Sequence, residues 1–183
     1  GLRLLLRDLQ AALTPGENST RKPARLRVVT SDYLDVTDPE ALRNLMLLQE
    51  HGAQVRVFET RGTSFHMKAY LFAHFDHDQH LHGTAFIGSS NISRTALTDG
   101  LEWNYRVDYP ADDGFLEARN RFESVFHDPR TVALTDAWID AYEARRVAPL
   151  RIVSPGSDET EMVPDPTAIQ VEALNALTQT RDA

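Results

Sequence analysis

The sequence has no cysteine and no long apolar run, and each absence excludes a class of protein. Without cysteine, the 183-residue chain has no disulfide framework, no thiol nucleophile and no cysteine-ligated zinc site. No apolar stretch approaches the roughly 18 residues that a membrane-spanning helix needs. The amino-terminal segment lacks the pattern of a secretory signal, because Arg3, Arg7 and Asp8 interrupt its leucines. These absences predict a cytoplasmic protein that does not bind membranes.

Acidic residues outnumber basic ones by 27 to 19, and the net charge of −8 is unevenly distributed. Residues 1–110 carry 12 basic and 13 acidic residues, whereas residues 111–183 carry 7 and 14. A broad polybasic surface is therefore excluded, but the nearly neutral first part can still form a local basic groove. We expect the acidic second part to face away from any bound polyanion.

The first 58 residues alternate between helix and strand patterns. Leucines at helical spacing predict an amphipathic helix over 2–13, and β-branched residues predict strands at 26–30 and 55–58. Between the strands, Asp38 and Pro39 predict the start of a helix that Gly52 ends. This order is typical of parallel strands joined by crossover helices. We therefore predict an α/β fold with a mixed, mostly parallel central sheet and helices on both faces.

Further strand and helix patterns follow before the composition changes. Strands are predicted at 68–72, 84–87 and 102–107, and helices at 114–126 and 133–146. A polar, histidine-rich connection, residues 74–82, separates the first two of these strands. From Val147 onward, the turn residues at 154–158 and the prolines at 164 and 166 predict a linker. We expect one domain at 1–148, a linker at 149–166 and the start of a further, truncated domain at 167–183.

Residues that carry chemistry are concentrated between positions 65 and 107. His66 and Lys68 lie at the entry to a predicted strand, and residues two apart on a strand project to the same face. The run 88–91, Gly-Ser-Ser-Asn, follows the next strand, where small residues let the backbone approach a ligand closely. Glu102 begins the third strand and supplies a carboxylate. Together these residues form one candidate site.

These residue types suit chemistry on a phosphate ester. An imidazole is a nucleophile and also an acid or base near neutral pH, so His66 is the candidate nucleophile. Lys68 can neutralise phosphate oxygens, while Ser89 and Asn91 can donate hydrogen bonds to developing oxyanion charge. A carboxylate such as Glu102 can fix the histidine tautomer and stabilise an imidazolium. A site of this kind needs no metal ion.

At these positions the sequence resembles the phospholipase D superfamily, whose signature is H-x-K followed by G-S-x-N. The matching residues are His66, Lys68, Gly88, Ser89 and Asn91. The resemblance implies metal-independent attack of His66 on a phosphodiester, a phosphohistidine intermediate, and phosphate binding by Lys68 and Asn91. It also implies that Glu102, eleven residues after Asn91, orients the histidine. The chain departs from the fuller H-x-K-x4-D pattern at Ala73.

The superfamily builds its active site from two such motifs, and this chain carries one. The resemblance therefore implies a homodimer that shares one site, in which a second copy's His66 is the general acid. The run 83–107 resembles phospholipase-D-like domains at the amino terminus of bacterial superfamily 2 helicases, and Asp165–Leu177 resembles the segment that opens a helicase core. This implies a DNA nuclease domain of a helicase-nuclease. It implies no cofactor, and ATP only for the missing helicase part.

Several residues near the motifs allow two interpretations. Gly88, Ser90, Arg61 and Arg94 are candidates for substrate binding, although an exposed arginine needs no function. Glu102 can instead pair with Arg106 on the same strand face, and Trp103 is expected to pack in the core rather than to stack on a base. The histidines at 74, 77, 80 and 82 suit zinc or nickel, although such a run more often forms a solvated turn.

Two other functions fit the same residues. A catalytically inactive domain would dimerise and bind DNA with an affinity that falls as salt rises. Action on a lipid phosphodiester is the other hypothesis. It is disfavoured because no segment has the pattern of an amphipathic membrane-binding face.

Overall fold

A computed structural model describes residues 2–17, 19–92 and 102–146 of the chain. The predicted linker at 149–166, the predicted start of a further domain at 167–183 and the candidate Arg94 lie outside these residues. The described part contains four α-helices, one 3-10 turn and six strands. The helices are α1 Leu2–Leu13, α2 Pro39–Glu50, α3 Gly114–Phe126 and α4 Asp136–Arg145, and the 3-10 turn is Tyr33–Asp35. The strands are β1 Arg27–Ser31, β2 Gln54–Phe58, β3 Ala69–Phe75, β4 Leu81–Gly88, β5 Asn104–Tyr109 and β6 Thr131–Ala133.

The first sheet has the order β1-β2-β6 and carries the main core. Strands β1 and β2 are parallel, and β6 adds to β2 in the antiparallel direction. Val55 and Val57 point into the main core, which also holds leucines of α1 and α2 and apolar residues of α4. The intervening Arg56 faces the other way and donates to the carbonyl of Phe126 on α3 at 2.7 Å. Helices therefore lie on both faces of this sheet, as predicted.

The ends of α2 follow the sequence prediction. The Asp38 side chain accepts a hydrogen bond from the Glu40 amide at 3.0 Å, and Pro39 occupies the first helical position. Gly52, just past the end of the helix, has a φ of 92°, which L-residues other than glycine adopt only at a steric cost. Asp38 and Gly52 therefore delimit the helix that carries Leu42, Leu45 and Leu48 into the core.

The second sheet has the order β3-β4-β5, and both of its pairings are antiparallel. The prediction of a mostly parallel central sheet is not confirmed, because only the β1–β2 pair is parallel among the pairings between described strands. The reason lies in the connection between β3 and β4. It is the short turn 76–80, and a turn of this length joins antiparallel strands, whereas a parallel pair needs a crossover of a dozen residues or more.

Helix α3 connects the two sheets. Near its start, Phe115 is fully buried against the second sheet, with its ring over Gly83. A Cβ atom at Gly83 would lie 2.3 Å from the Phe115 ring, so only glycine leaves room for it. Near its end, Phe126 is buried beside the first sheet, where the Arg56 guanidinium lies 4.3 Å from its ring centroid. One helix thus fixes the position of both sheets.

Candidate active site

The two halves of the predicted motif meet where β3 begins and β4 ends. The β3–β4 ladder pairs Ala69 with Ile87, and the Gly88 amide extends it by donating to the Lys68 carbonyl at 3.2 Å. The H-x-K segment and the G-S-x-N segment are therefore adjacent in space, although Lys68 and Gly88 are 20 positions apart in the sequence. Lys68 is half-buried at this junction, and Asn91 is exposed just beyond it.

Strand β5 attaches Glu102 to the same end of the sheet. The Ser89 amide donates to the Trp103 carbonyl at 3.0 Å, and the Trp103 amide donates to the Ser89 hydroxyl oxygen at 3.1 Å. The Ser89 hydroxyl donates to the Glu102 carboxylate. A Cβ atom at Gly88 would lie 2.0 Å from the Trp103 carbonyl oxygen, so this glycine permits β5 to approach. The sequence prediction assigned Gly88 to contact with a ligand, whereas its close neighbour here is β5.

Ser90 is held inside the structure by polar contacts. Its side chain is buried, and its hydroxyl oxygen accepts a hydrogen bond from the Asn104 amide group at 2.5 Å. The Tyr70 hydroxyl donates to the Ser90 carbonyl at 2.8 Å. Burial raises the pKa of Tyr70, and the negative charge of Glu102 raises it further. These contacts give Ser90 a structural role, while its predicted role in substrate binding stays a prediction.

His66 is exposed in the irregular segment between β2 and β3. The preceding Phe65 packs on Phe58 of β2, with ring centroids 5.1 Å apart. The His66 imidazole itself contacts Tyr33, at 4.7 Å between ring centroids and an interplanar angle of 73°. Among the described residues no hydrogen bond joins His66 to Glu102. The predicted orienting contact is therefore not made in this conformation.

A cleft of about 620 Å³ lies at the carboxyl ends of the parallel strands β1 and β2, and its lining includes Tyr33, the residue that contacts His66. Residues of the turn after β1, the segment after β2 and the end of α4 line it. In α/β sheets this is the edge at which ligands bind, because loops from neighbouring strands diverge there. Arg61 lies in this lining and pairs with Glu59 at 2.9 Å. An exposed pair of this kind contributes about 0–1 kcal/mol, so Arg61 can exchange Glu59 for an anionic ligand at little cost.

The lining includes Asp32 and Tyr33, which the sequence analysis did not select. A sequence signal for them was present. Ser31 and Asp32 directly follow the β-branched strand predicted at 26–30, and polar residues at the carboxyl end of such a strand are candidates for ligand binding. Without a motif to mark them, they did not stand out from other loop residues.

The alternative pairing of Glu102 with Arg106 is not made, and Trp103 differs from the sequence expectation. Arg106 pairs with Asp108, at 2.9 Å, and not with Glu102. Trp103 was expected to pack in the core, yet its side chain is 86% exposed. It lies on the same side of β5 as the buried Val107, but α3 covers only the far part of that face, where Phe115 lies.

The histidine-rich segment forms the tip of the β3–β4 hairpin. His74 and His82 occupy paired positions on the two strands, and their rings stack with centroids 5.2 Å apart. Asp76 contacts His82 at 3.1 Å and accepts backbone hydrogen bonds from Asp78 and His80. Across the described ranges no three histidine, aspartate or glutamate side chains are arranged to hold a metal ion.

An α/β fold with these motif segments side by side defines a domain of the phospholipase D type. The chain belongs to the family described as cardiolipin synthase, PLD-like domain, whose sequence model matches residues 10–127. Membership indicates, at the level of the superfamily, a hydrolase that acts on phosphodiester bonds. A comparison with curated proteins finds no match. Within the described residues, no helix is both long and apolar enough to cross a bilayer.

Proposed function

We propose that the chain is a metal-independent DNA phosphodiesterase domain that works through a phosphohistidine intermediate, as the nuclease part of a helicase-nuclease. The observation that carries this proposal is the hydrogen bond from the Gly88 amide to the Lys68 carbonyl. It joins the segment that carries His66 and Lys68 to the G-S-x-N segment at one end of the second sheet, which supports the proposal. Family membership supplies the reaction class, and the resemblance of 83–107 to phospholipase-D-like domains of helicases favours DNA as the substrate.

In the proposed reaction, a nitrogen of neutral His66 attacks phosphorus and forms an N–P bond while a P–O bond breaks. The leaving oxygen takes a proton from the protonated His66 of a second copy. Water then attacks phosphorus and gives its proton to that second imidazole, and the N–P bond breaks to release the other product. Lys68, Asn91 and Ser89 stabilise the charge on the phosphate oxygens.

A shared site requires a homodimer, because each chain carries one copy of the motif. Light scattering at micromolar concentration should give the mass of a dimer. Mixing active protein with an excess of His66→Ala protein should lower activity more than dilution alone, since mixed dimers lack one of the two imidazoles. A monomeric mass together with full activity would contradict the shared site.

The decisive experiment is DNA cleavage in excess EDTA, with the wild type, His66→Ala and His77→Ala compared side by side. His77 is an exposed histidine at the hairpin tip and serves as the matched control. We expect the wild type and His77→Ala to cleave, and His66→Ala to lose at least about 10³-fold in rate. Equal cleavage by His66→Ala and the wild type would refute the mechanism.

The same experiment separates the alternatives. Ala73 stands where the fuller motif has aspartate, and this departure is the observation that favours a catalytically inactive domain for dimerisation and DNA binding. Salt-dependent DNA binding without turnover by any variant would select that function. The matched family is described as cardiolipin synthase, so phospholipid vesicles form a further arm. Release of a lipid headgroup without DNA cleavage would replace DNA by lipid as the substrate.

A further inference from the structure

The turn after β1, residues 32–36, has an unusual backbone and is here called the β1 turn. Leu34 and Asp35 both have a φ of 53°, in the left-handed region that side chains with a Cβ disfavour. Two consecutive residues in this region persist only where the surrounding structure holds them. Such backbone is concentrated at functional sites, and the β1 turn lines the cleft at the carboxyl ends of β1 and β2.

Contacts from two other elements hold the β1 turn in place. One carboxylate oxygen of Asp32 accepts hydrogen bonds from the Thr60 amide at 2.8 Å and the Thr60 hydroxyl at 2.9 Å. The other oxygen accepts from the Arg145 guanidinium at 2.6 Å. On the far side, the buried Tyr142 donates its hydroxyl to the Thr37 carbonyl at 2.9 Å. The turn is thus fixed to the end of β2 and to α4.

The residue of the β1 turn that contacts His66 is Tyr33. Its ring meets the His66 imidazole nearly at right angles, with 4.7 Å between centroids. His66 is otherwise exposed and lies in a segment without regular structure. A contact of this geometry restricts rotation of the imidazole, because an edge-to-face pair is favourable only over a narrow range of orientations.

We propose that Tyr33 is a positioning residue that holds the His66 imidazole in the orientation needed for attack on phosphorus. This inference rests on the proposed function, in which His66 is the nucleophile. An in-line attack needs one ring nitrogen aimed at phosphorus, and a small error in that aim lowers the rate strongly. The β1 turn holds Tyr33 against His66, because hydrogen bonds from Thr60 and Tyr142 fix Asp32 and Thr37 on either side of it.

The test compares Tyr33→Phe, which keeps the ring, with Tyr33→Leu, which removes it. The first measurement is the NMR shift of the His66 ring protons, identified among the seven histidines by their loss in His66→Gln. We expect Tyr33→Leu to move these resonances and Tyr33→Phe to leave them near their wild-type positions. This measurement does not depend on activity, so it tests the contact even if the wild type cleaves nothing and the proposed function fails.

The second measurement is cleavage. We expect kcat to fall by about 10- to 100-fold in Tyr33→Leu with KM nearly unchanged, and Tyr33→Phe to retain wild-type kcat. Asp32→Ala removes the bonds that hold the β1 turn to Thr60 and Arg145 while keeping Tyr33, so it tests the inference even if Tyr33→Leu fails to fold. This variant should lower kcat and move the His66 resonances in the same direction as Tyr33→Leu does. Unchanged resonances or an unchanged kcat in folded Tyr33→Leu or Asp32→Ala protein would overturn the positioning role.

Discussion

The two sheets differ in how much of their surface the helices cover. In the first sheet Val55 and Val57 are almost wholly buried beneath three helices. In the second sheet none of the described β3 residues is buried, and Phe72 and Phe75 are exposed. The hydrophobic effect therefore stabilises the first sheet far more than the second, since it scales with the apolar area removed from water.

Polar contacts hold the end of the second sheet where helices do not cover it. Ser89 bonds to Glu102 and Trp103, and Ser90 bonds to Tyr70 and Asn104. A reactive site must admit substrate, so it cannot be covered by an apolar layer, but its groups must still be fixed. The comparison teaches that the main core lies at the first sheet, whereas the H-x-K and G-S-x-N segments meet at the less covered end of the second. The predictions below test that separation.

The largest effect is expected from truncating the main core. Leu48→Ala removes a side chain that is 0% exposed and should lower the free energy of unfolding by about 2–5 kcal/mol. The matched change in the second sheet is Ile87→Ala, whose side chain is 40% exposed, and it should cost about 1 kcal/mol or less. Urea denaturation measures both, and equal losses would contradict the difference between the sheets.

Ser89→Ala should separate activity from stability. It removes the hydroxyl that donates to Glu102 and accepts from the Trp103 amide, at an exposed site. We expect DNA cleavage to fall by about 100-fold, while the free energy of unfolding changes by about 1 kcal/mol or less. Ser19→Ala, in the exposed loop after α1, is the control. A large stability loss would show that Ser89 supports the fold more than the site.

Gly83→Ala tests whether α3 is seated on the second sheet through Phe115. The added Cβ overlaps the Phe115 ring, so we expect a loss of about 1–3 kcal/mol. Combining it with Phe115→Leu should cost less than the sum of the two single changes, because the smaller side chain leaves room for the methyl group. Strict additivity in this double-mutant cycle would indicate that the two residues are not in contact.

The smallest effect should appear at alkaline pH. Burial raises the pKa of Tyr142 from its usual value of 10 to about 12. Between these values an unfolded chain ionises this tyrosine and the folded chain does not, so stability is lost as pH rises from about 10 to 12. Tyr142→Phe should lower the free energy of unfolding by about 1 kcal/mol at pH 8, because the bond to Thr37 is lost. Between pH 8 and pH 11 the variant should then lose less stability than the wild type does. An identical pH dependence in both proteins would assign the loss to other groups.

The sequence predicted the elements whose signals are local. Helices α1, α2 and α3 match their predicted ranges closely, because leucine spacing and the Asp38-Pro39 start are encoded within each segment. Strand β6 was missed, and its residue 133 was assigned to the next helix. Three residues, Thr-Val-Ala, carry no pattern of their own, and pairing with β2 makes them a strand. Strands β3 and β4 are longer than predicted. The polar His74 and His82 were assigned to the connection between them, although both residues lie on the strands.

The candidate site also has a part that the sequence predicted and a part that only the structure shows. The motif residues were predicted because their spacing is visible in the sequence, and the ladder between β3 and β4 brings both segments together. The contact between Tyr33 and His66 joins residues 33 positions apart through no recognisable pattern. It depends on how the β1 turn is held, which only the folded chain shows. Trp103 was assigned to the core because strand alternation cannot tell which part of a face a helix covers.

The β3–β4 hairpin gives the domain a natural place for engineering. Seven residue pairs separate the motif end of this hairpin from its turn, a span on the order of 20 Å. Residues 77–80 of the turn are exposed. Helix α3 contacts the hairpin at Gly83, which lies nearer the middle of the hairpin than the turn does. A fluorescent protein or an affinity label inserted between His77 and Asp78 should therefore report on the molecule in cells without disturbing its chemistry.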